Sequence, residues 1–468
     1  MSQLRHLPSV DQLLQLDSIT ELLESYRREV VVQQVRDAVE TLRQQLLDAP
    51  VNSADREDLL QSAERLIVDG LSRRDPGLSS IVQAAGVILH TGLGRAPLAP
   101  AAAQAIAQAA EGYCALEFNL ETGERGSRLD SVDGDLRSRT GAEATLVVNN
   151  NTAAVLLLLS ALAQNREVVI SRGELVEIGG AFRMPDIIAA SGARICEVGT
   201  TNRTHLRDYE AAINADTALI LVVHPSNYRV EGFTAAPNPE ALVALGHEAG
   251  IPVAYDLGGG ALFDLERWEL PHEPVVAHSL HTGFDVVTFS GDKILGGPQC
   301  GIAAGRKDVI GAMRQHPMMR ALRCDKLTLA GLRATLQIYA LPDDQLRAAL
   351  PVLRMMTEPV AQIRARAERL LALVPDDARQ RLGVQVEASE CQVGGGAITT
   401  EVLPSFVVAL APVQLDVGEV ARRLRLDPVT PVVGRVAKDR VLLDLRTVSD
   451  ADVESIADAL TRVVQSRS

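Results

Sequence analysis

Lysine is nearly missing from this chain: of 46 basic residues only Lys293, Lys307, Lys326 and Lys438 are lysines, and the rest are arginines. Arginine cannot give up a proton near neutral pH and attack a carbonyl, so a nucleophilic amine has few candidates. Cysteine is sparse too. Cys114, Cys196, Cys300, Cys324 and Cys391 are scattered, without paired metal-ligand spacing or a disulfide framework. That excludes a zinc module and a stapled secreted fold, and predicts reduced thiols in a cytoplasm with no metal site. Long apolar runs are also lacking. Val155 to Leu162 is too short to span a bilayer, and no signal peptide opens the chain, so no membrane association is expected. Internal repeats and low-complexity segments are absent. Positive charge is in deficit, at −14 overall, which excludes a generally nucleic-acid-coating surface and leaves a local patch as the route to an RNA partner. With 468 residues the chain is too long for one ordinary core, and two or three domains are expected.

What is present is organised around Thr288 to Gly301. An apolar strand, Asp285 to Phe289, runs into the turn Ser290-Gly291-Asp292-Lys293, and a glycine-proline loop returns the chain to a second strand, Gly301 to Ala304. Such a turn delivers a lysine to the mouth of a sheet, and a desolvated lysine can lose its proton. Upstream, Asp256 ends the strand Pro252 to Asp256 and precedes Leu257-Gly258-Gly259-Gly260. Asn149-Asn150-Asn151-Thr152 follows the strand Ala144 to Val148 and opens an apolar helix, so its backbone N–H groups and the helix dipole face an anion. Asn227 follows the strand Ala218 to His224. Singly, each is an ordinary turn or cap residue. In this order they meet the needs of pyridoxal phosphate: a lysine for the aldehyde (Lys293), an acid for the pyridine nitrogen (Asp256), a phosphate cradle (Asn150, Asn151, Thr152, with Ser290), and a donor near the ring oxygen (Asn227).

The order of these motifs resembles the fold-type-I pyridoxal-phosphate enzymes, the aspartate aminotransferase superfamily. Within it the chain resembles the bacterial selenocysteine synthases, the L-seryl-tRNA(Sec) selenium transferases, almost end to end. The similarity runs through Leu7-Pro8-Ser9-Val10-Asp11, Leu89 to Leu98, Ser171 to Leu175 and Glu197 to Thr204, and continues through Ser290 to Gln299, Ala321 to Lys326 and Pro431 to Val436. It implies β-elimination of the seryl hydroxyl from L-seryl-tRNA(Sec) and addition of selenium from selenophosphate, with Lys293 and Asp256 as catalytic residues. It also implies an arginine cluster for the donor's phosphate-like group, here Arg95, Arg320 and Arg323, and a homo-oligomeric ring of dimers, a decamer. The ester of the substrate leaves no α-carboxylate to bind, so an anion-binding set is free for the donor. Asp292 and His90 are both open as proton donors to the departing hydroxide. Arg172 and Glu174 stand where the superfamily commonly has an aromatic or histidine over the ring, so that contact also stays open. Two other readings compete: a related lyase acting on a free amino or sugar acid, and a non-catalytic tRNA-binding scaffold on a retained fold.

The expected architecture is α/β: a fold-type-I large domain with a C-terminal α+β small domain and an N-terminal helical domain. Residues 1–80 read as helices that serve tRNA binding. A capping box at Ser18 and Glu21 opens a helix running to Pro50, a second helix spans about Asp55 to Leu71, and Arg73-Arg74-Asp75-Pro76-Gly77 marks the boundary. Residues 1–50 carry five arginines against eight acidic residues, so recognition of an RNA would rest on shape or on surfaces assembled from several subunits. Residues 81–330 alternate apolar strands with helices, which implies a mostly parallel sheet covered on both faces, with ligands at the carboxyl ends of its strands. A helix-rich linker from about Thr328 leads through residues 331–468 to strands at Pro404 to Leu410 and Arg440 to Leu445 and a helix at Asp450 to Val464. Helical spacing over Met318 to Asp325 puts Arg320 and Arg323 on one face.

Overall fold

The computed structural model describes residues 3–48, 56–72, 78–178, 182–396 and 401–465. The chain divides between Ser80 and Ile81 into two compact units. Pro50 and the stretch Arg73 to Gly77 lie outside the described residues.

The first unit contains α1 (Asp17–Ser25), α2 (Arg28–Asp48) and α3 (Arg56–Ser72). Leu13, Ile19, Val31, Val35, Leu42, Ala63 and Ile67 form its core. Two expectations are corrected here. Ser18 is no N-cap: the cap position falls two residues earlier, at Leu16, and the Ser18 hydroxyl donates to Glu64. The single helix expected from Ser18 onward is broken at Tyr26, whose backbone is extended. The Tyr26 hydroxyl donates to the Leu71 carbonyl at 3.0 Å, a tertiary bond that only a chain leaving the helix can make.

The second unit carries a seven-stranded sheet, a five-stranded sheet and a two-stranded pair of Glu177–Ile178 with Phe182–Arg183. Its large sheet is built from β2 (Ala144–Val148), β3 (Glu167–Ser171), β4 (Arg194–Val198), β5 (Thr217–Val223), β6 (Val253–Gly258), β7 (Val286–Ser290) and β8 (Gly301–Gly305). Before these comes β1 (Val82–Ala84), which belongs elsewhere. The spatial order is β2-β8-β7-β6-β5-β3-β4, and β8 alone runs against its neighbours. The other pairings are parallel, which is why β7 reads as a continuous apolar run buried on both faces. Helix α4 (Asn151–Leu162) is apolar on almost every side and packs within the core against this sheet.

The smaller sheet follows in β9 (Val384–Gln392), β10 (Val402–Leu410), β11 (Val432–Ala437) and β12 (Arg440–Asp444), in the order β1-β11-β12-β10-β9. Helices Val360–Leu373 and Val453–Gln465 bury Ile363, Leu370, Ile456 and Leu460 with the inner residues of its strands. Val82–Ala84 pairs with Val432–Gly434, so the first strand after residue 81 is part of the C-terminal sheet and not of the large one. No helix among the described residues is long and apolar enough to cross a membrane. No group of three or more potential ligands among them is placed to hold a metal ion.

Candidate active site

Three strand ends converge on a cavity of about 400 Å³. β7 supplies the lysine. Beyond Ser290 the chain is held by backbone bonds from Gly291 N to the Cys300 carbonyl, from Gly297 N to the Gly291 carbonyl and from Ile294 N to the Gly259 carbonyl. This fixes the turn so that Lys293, 5 % exposed, points inward and donates to the Gly396 carbonyl at 3.2 Å. Burial holds the Lys293 amine below the ordinary lysine range, and the Arg95 guanidinium pushes the same way, against Asp256, Asp292 and Glu273.

β6 supplies the acid. Asp256 lies opposite Thr288 in the parallel register, and its Oδ1 accepts from Thr288 Oγ1 at 2.9 Å and from Asn151 Nδ2 at 2.7 Å. Burial raises its pKa, and these two hydrogen bonds only partly offset the effect. Asn151 therefore uses its side chain to hold Asp256, not to reach into a phosphate cradle. Asn150 caps α4, its Oδ1 accepting from Ala153 N at 2.9 Å. The cradle is thus backbone: the N-terminus of α4 opens onto the cavity at Asn150, Asn151 and Thr152. Gly301 lets β8 pass beneath it, since a Cβ there would stand 2.0 Å from the Asn150 carbonyl oxygen.

Ser290, Asp292 and Arg95 complete this wall. Arg95 Nη1 pairs with Asp292 Oδ1 at 3.2 Å, and Arg95 sits in the left-handed region at φ 60°, a conformation that non-glycine residues adopt at a cost. Beside the amine lies Gly396, also left-handed at φ 75°, where a Cβ would come within 3.1 Å of Lys293 Nζ. A side chain there would fill the space beside the amine, so glycine keeps the cavity open. A buried amine, a buried carboxyl raised towards its neutral form and a helix N-terminus in one cleft fit pyridoxal phosphate.

Asn227 is not brought to the cavity. The chain turns at Pro225, Ser226 faces the lysine, and Asn227 donates to the Glu177 carbonyl at 2.8 Å. Arg320 and Arg323 do not line it either. The helix expected over Met318 to Asp325 is one turn, Met319–Leu322, and Arg323 is extended, bridged to Val148 and 3.7 Å from Glu117. The two arginines therefore share no helix face. His90 lies outside the lining, its carbonyl accepting from Leu93 N and Arg95 N.

Sequence reasoning assigned no role to His224, Ser226 or Gln299, which do line the cavity. His224 is the first residue past β5, a position the strand-end rule points to. Burial pulls its pKa down to about 4, with His272 and Lys293 adding to the effect, so it is neutral at physiological pH. Glu174, in the turn after β3, accepts from Val223 N at 3.0 Å. The residue as a whole is half-buried, but its carboxyl end is shut away from water, which raises the pKa from 4.5 to about 8. Between those values the folded chain holds a proton that the unfolded chain has lost, so stability falls as pH rises through this window. Glu174→Gln should remove that slope. Melting temperatures at pH 6 and pH 8.5 should fall more in the native protein than in the variant, and equal falls would mean an ionised carboxylate.

Residues 81–449 match the family described as L-seryl-tRNA selenium transferase, and residues 4–43 match the selenocysteine synthase N-terminal family. The chain is similar to the L-seryl-tRNA(Sec) selenium transferase of Carboxydothermus hydrogenoformans, 44 % identical over 96 % of either chain. It is likewise similar to that of Hyphomonas neptunium, 44 % identical over 98 % of either chain. Among solved structures, D-glucosaminate-6-phosphate ammonia-lyase shares the fold, with a TM-score of 0.57 at 22 % identity over 83 % of this chain and 97 % of that one. With the match spanning both units, this chain belongs to the L-seryl-tRNA selenium transferase family.

Proposed function

We propose that the chain converts L-seryl-tRNA(Sec) to L-selenocysteinyl-tRNA(Sec), with pyridoxal phosphate as cofactor and selenophosphate as the selenium donor. The observation that carries this reading is the shared cleft of Lys293, Asp256 and the α4 N-terminus, in a chain whose family acts on seryl-tRNA. In the proposed arrangement the backbone N–H groups of Asn151 and Thr152 and the Ser290 hydroxyl hold the cofactor's phosphate, Asp256 faces its pyridine nitrogen, and Lys293 receives its aldehyde. When bound, pyridoxal phosphate supplies an electron sink for negative charge at the substrate's Cα.

The chain's own groups then do the following. Lys293 Nζ, kept short of protons by burial, takes the proton from the seryl Cα. Asp256 stays fixed by Asn151 and Thr288, so its carboxyl is held at one place in the cleft. Asp292, ion-paired with Arg95, lies next to Lys293 in the same cavity, whereas His90 lies outside its lining; the proton that Lys293 takes from the Cα is the one available to the departing hydroxide. Arg95 offers the first contact to the anionic donor. Arg320 and Arg323 lie outside this cleft within one chain, so the proposal places them at the donor site of a neighbouring subunit in a ring-shaped homo-oligomer.

The test is turnover with seryl-tRNA(Sec) plus selenophosphate against free serine plus selenophosphate. Selenocysteinyl-tRNA formation supports the reading, and turnover of free serine alone would move the chain to the lyase reading. Replacing Arg95, Arg320 or Arg323 with alanine should weaken use of selenophosphate. One lost charge-assisted bond is worth roughly 1.5–3 kcal/mol, about 10- to 150-fold in apparent KM for the donor. Seryl-tRNA(Sec) binding should be unchanged, and equal loss in both would assign these arginines to the fold or to the tRNA.

A further inference from the structure

A second cavity, of about 570 Å³, adjoins the one at Lys293. The two share His224 and Ser226. The passage between them is narrow in a definable sense: the point where a Cβ of Gly396 would stand lies 3.1 Å from Lys293 Nζ and 3.4 Å from Ser226 Oγ. A molecule that reacts at Lys293 and extends past Ser226 enters this second space.

The walls of the two spaces differ in chemistry. Around Lys293 they offer a helix N-terminus and Arg95, which suit anions. In the second cavity Glu273 and Glu401 line the wall, with Asn202, Tyr228 and His272. Its positive groups are engaged: Arg229 lies 3.6 Å from Glu231 and 3.5 Å from Glu401, and Arg203 Nε donates to the Phe233 carbonyl at 3.1 Å. Such a wall suits the uncharged part of a ligand that offers a hydroxyl donor and a flat ring, and leaves any phosphate joined to it outside the cavity. Its size is within the roughly 300–1,000 Å³ typical of small-molecule sites.

We propose that this cavity seats the terminal nucleoside of the aminoacyl-tRNA, the adenosine whose ribose carries the seryl ester. The inference rests on the function proposed above and adds a location to it. The ribose carbon bearing the ester is only three bonds from the seryl Cα, so once the Cα is at Lys293 the ribose must occupy adjoining space. The 2′-hydroxyl that the ester leaves free can donate to a carboxylate such as Glu273, which is 1 % exposed as a residue while lining the cavity. The base gains a flat partner in Tyr228 or His272. The two substrates are thereby kept apart, with the anionic donor on the Arg95 side and the nucleoside beyond Ser226.

The experiment is titration calorimetry on the full-length, pyridoxal-phosphate-loaded protein with two probes: 3′-deoxy-3′-(L-serylamino)adenosine, a stable amide analogue of the aminoacyl end, and L-serinamide, which lacks the nucleoside. The analogue should bind at least about tenfold more tightly than serinamide, a difference of one substantial set of contacts. Adenosine alone should compete with the analogue. Tyr228→Ala and His272→Ala should each reduce that preference several-fold without changing serinamide binding; the exposed His272 keeps the test valid if the half-buried Tyr228 substitution disturbs folding. Equal affinity for both probes, or equal losses for both in the variants, would overturn the proposal. Turnover of seryl-tRNA(Sec) measured in parallel separates the two readings. Normal turnover without nucleoside preference sinks this cavity alone, whereas no turnover at all sinks the proposed function.

Discussion

Lys293→Ala should give a colourless protein whose turnover of seryl-tRNA(Sec) is at least about 10³-fold lower, the scale of losing a group that serves as both covalent anchor and general base. The expectation follows from burial. Lys293 is 5 % exposed, its amine meets one carbonyl oxygen, and no carboxylate stands within ion-pair distance among the described residues. A charged ammonium is poorly solvated there, so the neutral amine is populated at a lower pH than for lysine in water. Raising the pH should therefore increase cofactor attachment at Lys293 earlier than at an exposed lysine. Lys293→Arg should be as damaging as alanine, because a guanidinium keeps its proton. Borohydride reduction of the loaded protein followed by peptide mapping should place the pyridoxyl group on Lys293. A label on Lys307 or Lys326 would remove the assignment.

Much of this site was legible because parallel sheets expose residues in a regular way. An apolar run ending in a small or polar residue marks the carboxyl edge, and Asp256, Lys293 and the Asn150 to Thr152 helix start all appear there. What escaped the sequence is what depends on partners distant in the chain. Arg323 leaves the helical path because its backbone bridges to Val148, and no periodicity within Met318 to Asp325 signals that. Asn227 and Ser226 differ by one position after β5, and only the turn at Pro225 decides which of them faces the lysine. The strand Val82–Ala84 has three residues, and its partner lies at Val432–Gly434. Gly396 escaped notice for the same reason: its carbonyl receives the lysine amine from more than a hundred residues away. Short elements with remote partners carry almost no local signal, whereas long, doubly buried strands carry a strong one.

Removing residues 1–80 should leave a folded, yellow protein that no longer binds seryl-tRNA(Sec). The cut is placed by the packing. Leu13, Ile19, Val31, Val35, Ala63 and Ile67 form a core of their own in the first unit, while Ile81 and β1 must be retained because β1 completes the C-terminal sheet through β11. Every residue lining the Lys293 cavity lies beyond the cut, so the cofactor should remain attached and borohydride should still label Lys293. The assignment of tRNA binding to this unit is part of the function proposed above; residues 4–43 match the selenocysteine synthase N-terminal family. Its charge says how that binding would work. Residues 1–80 hold nine arginines against fourteen acidic residues, so few phosphates can be neutralised and few counterions released. Recognition should rest on the shape of the tRNA, with an affinity that falls less steeply with salt than that of a basic RNA-binding domain. Filter-binding titrations of the full chain and of residues 81–468 across salt concentrations, with tRNA(Ser) as competitor, measure both quantities. Unchanged affinity after truncation would move tRNA recognition to the second unit, and equal binding of the two tRNAs would mean that shape is not being read.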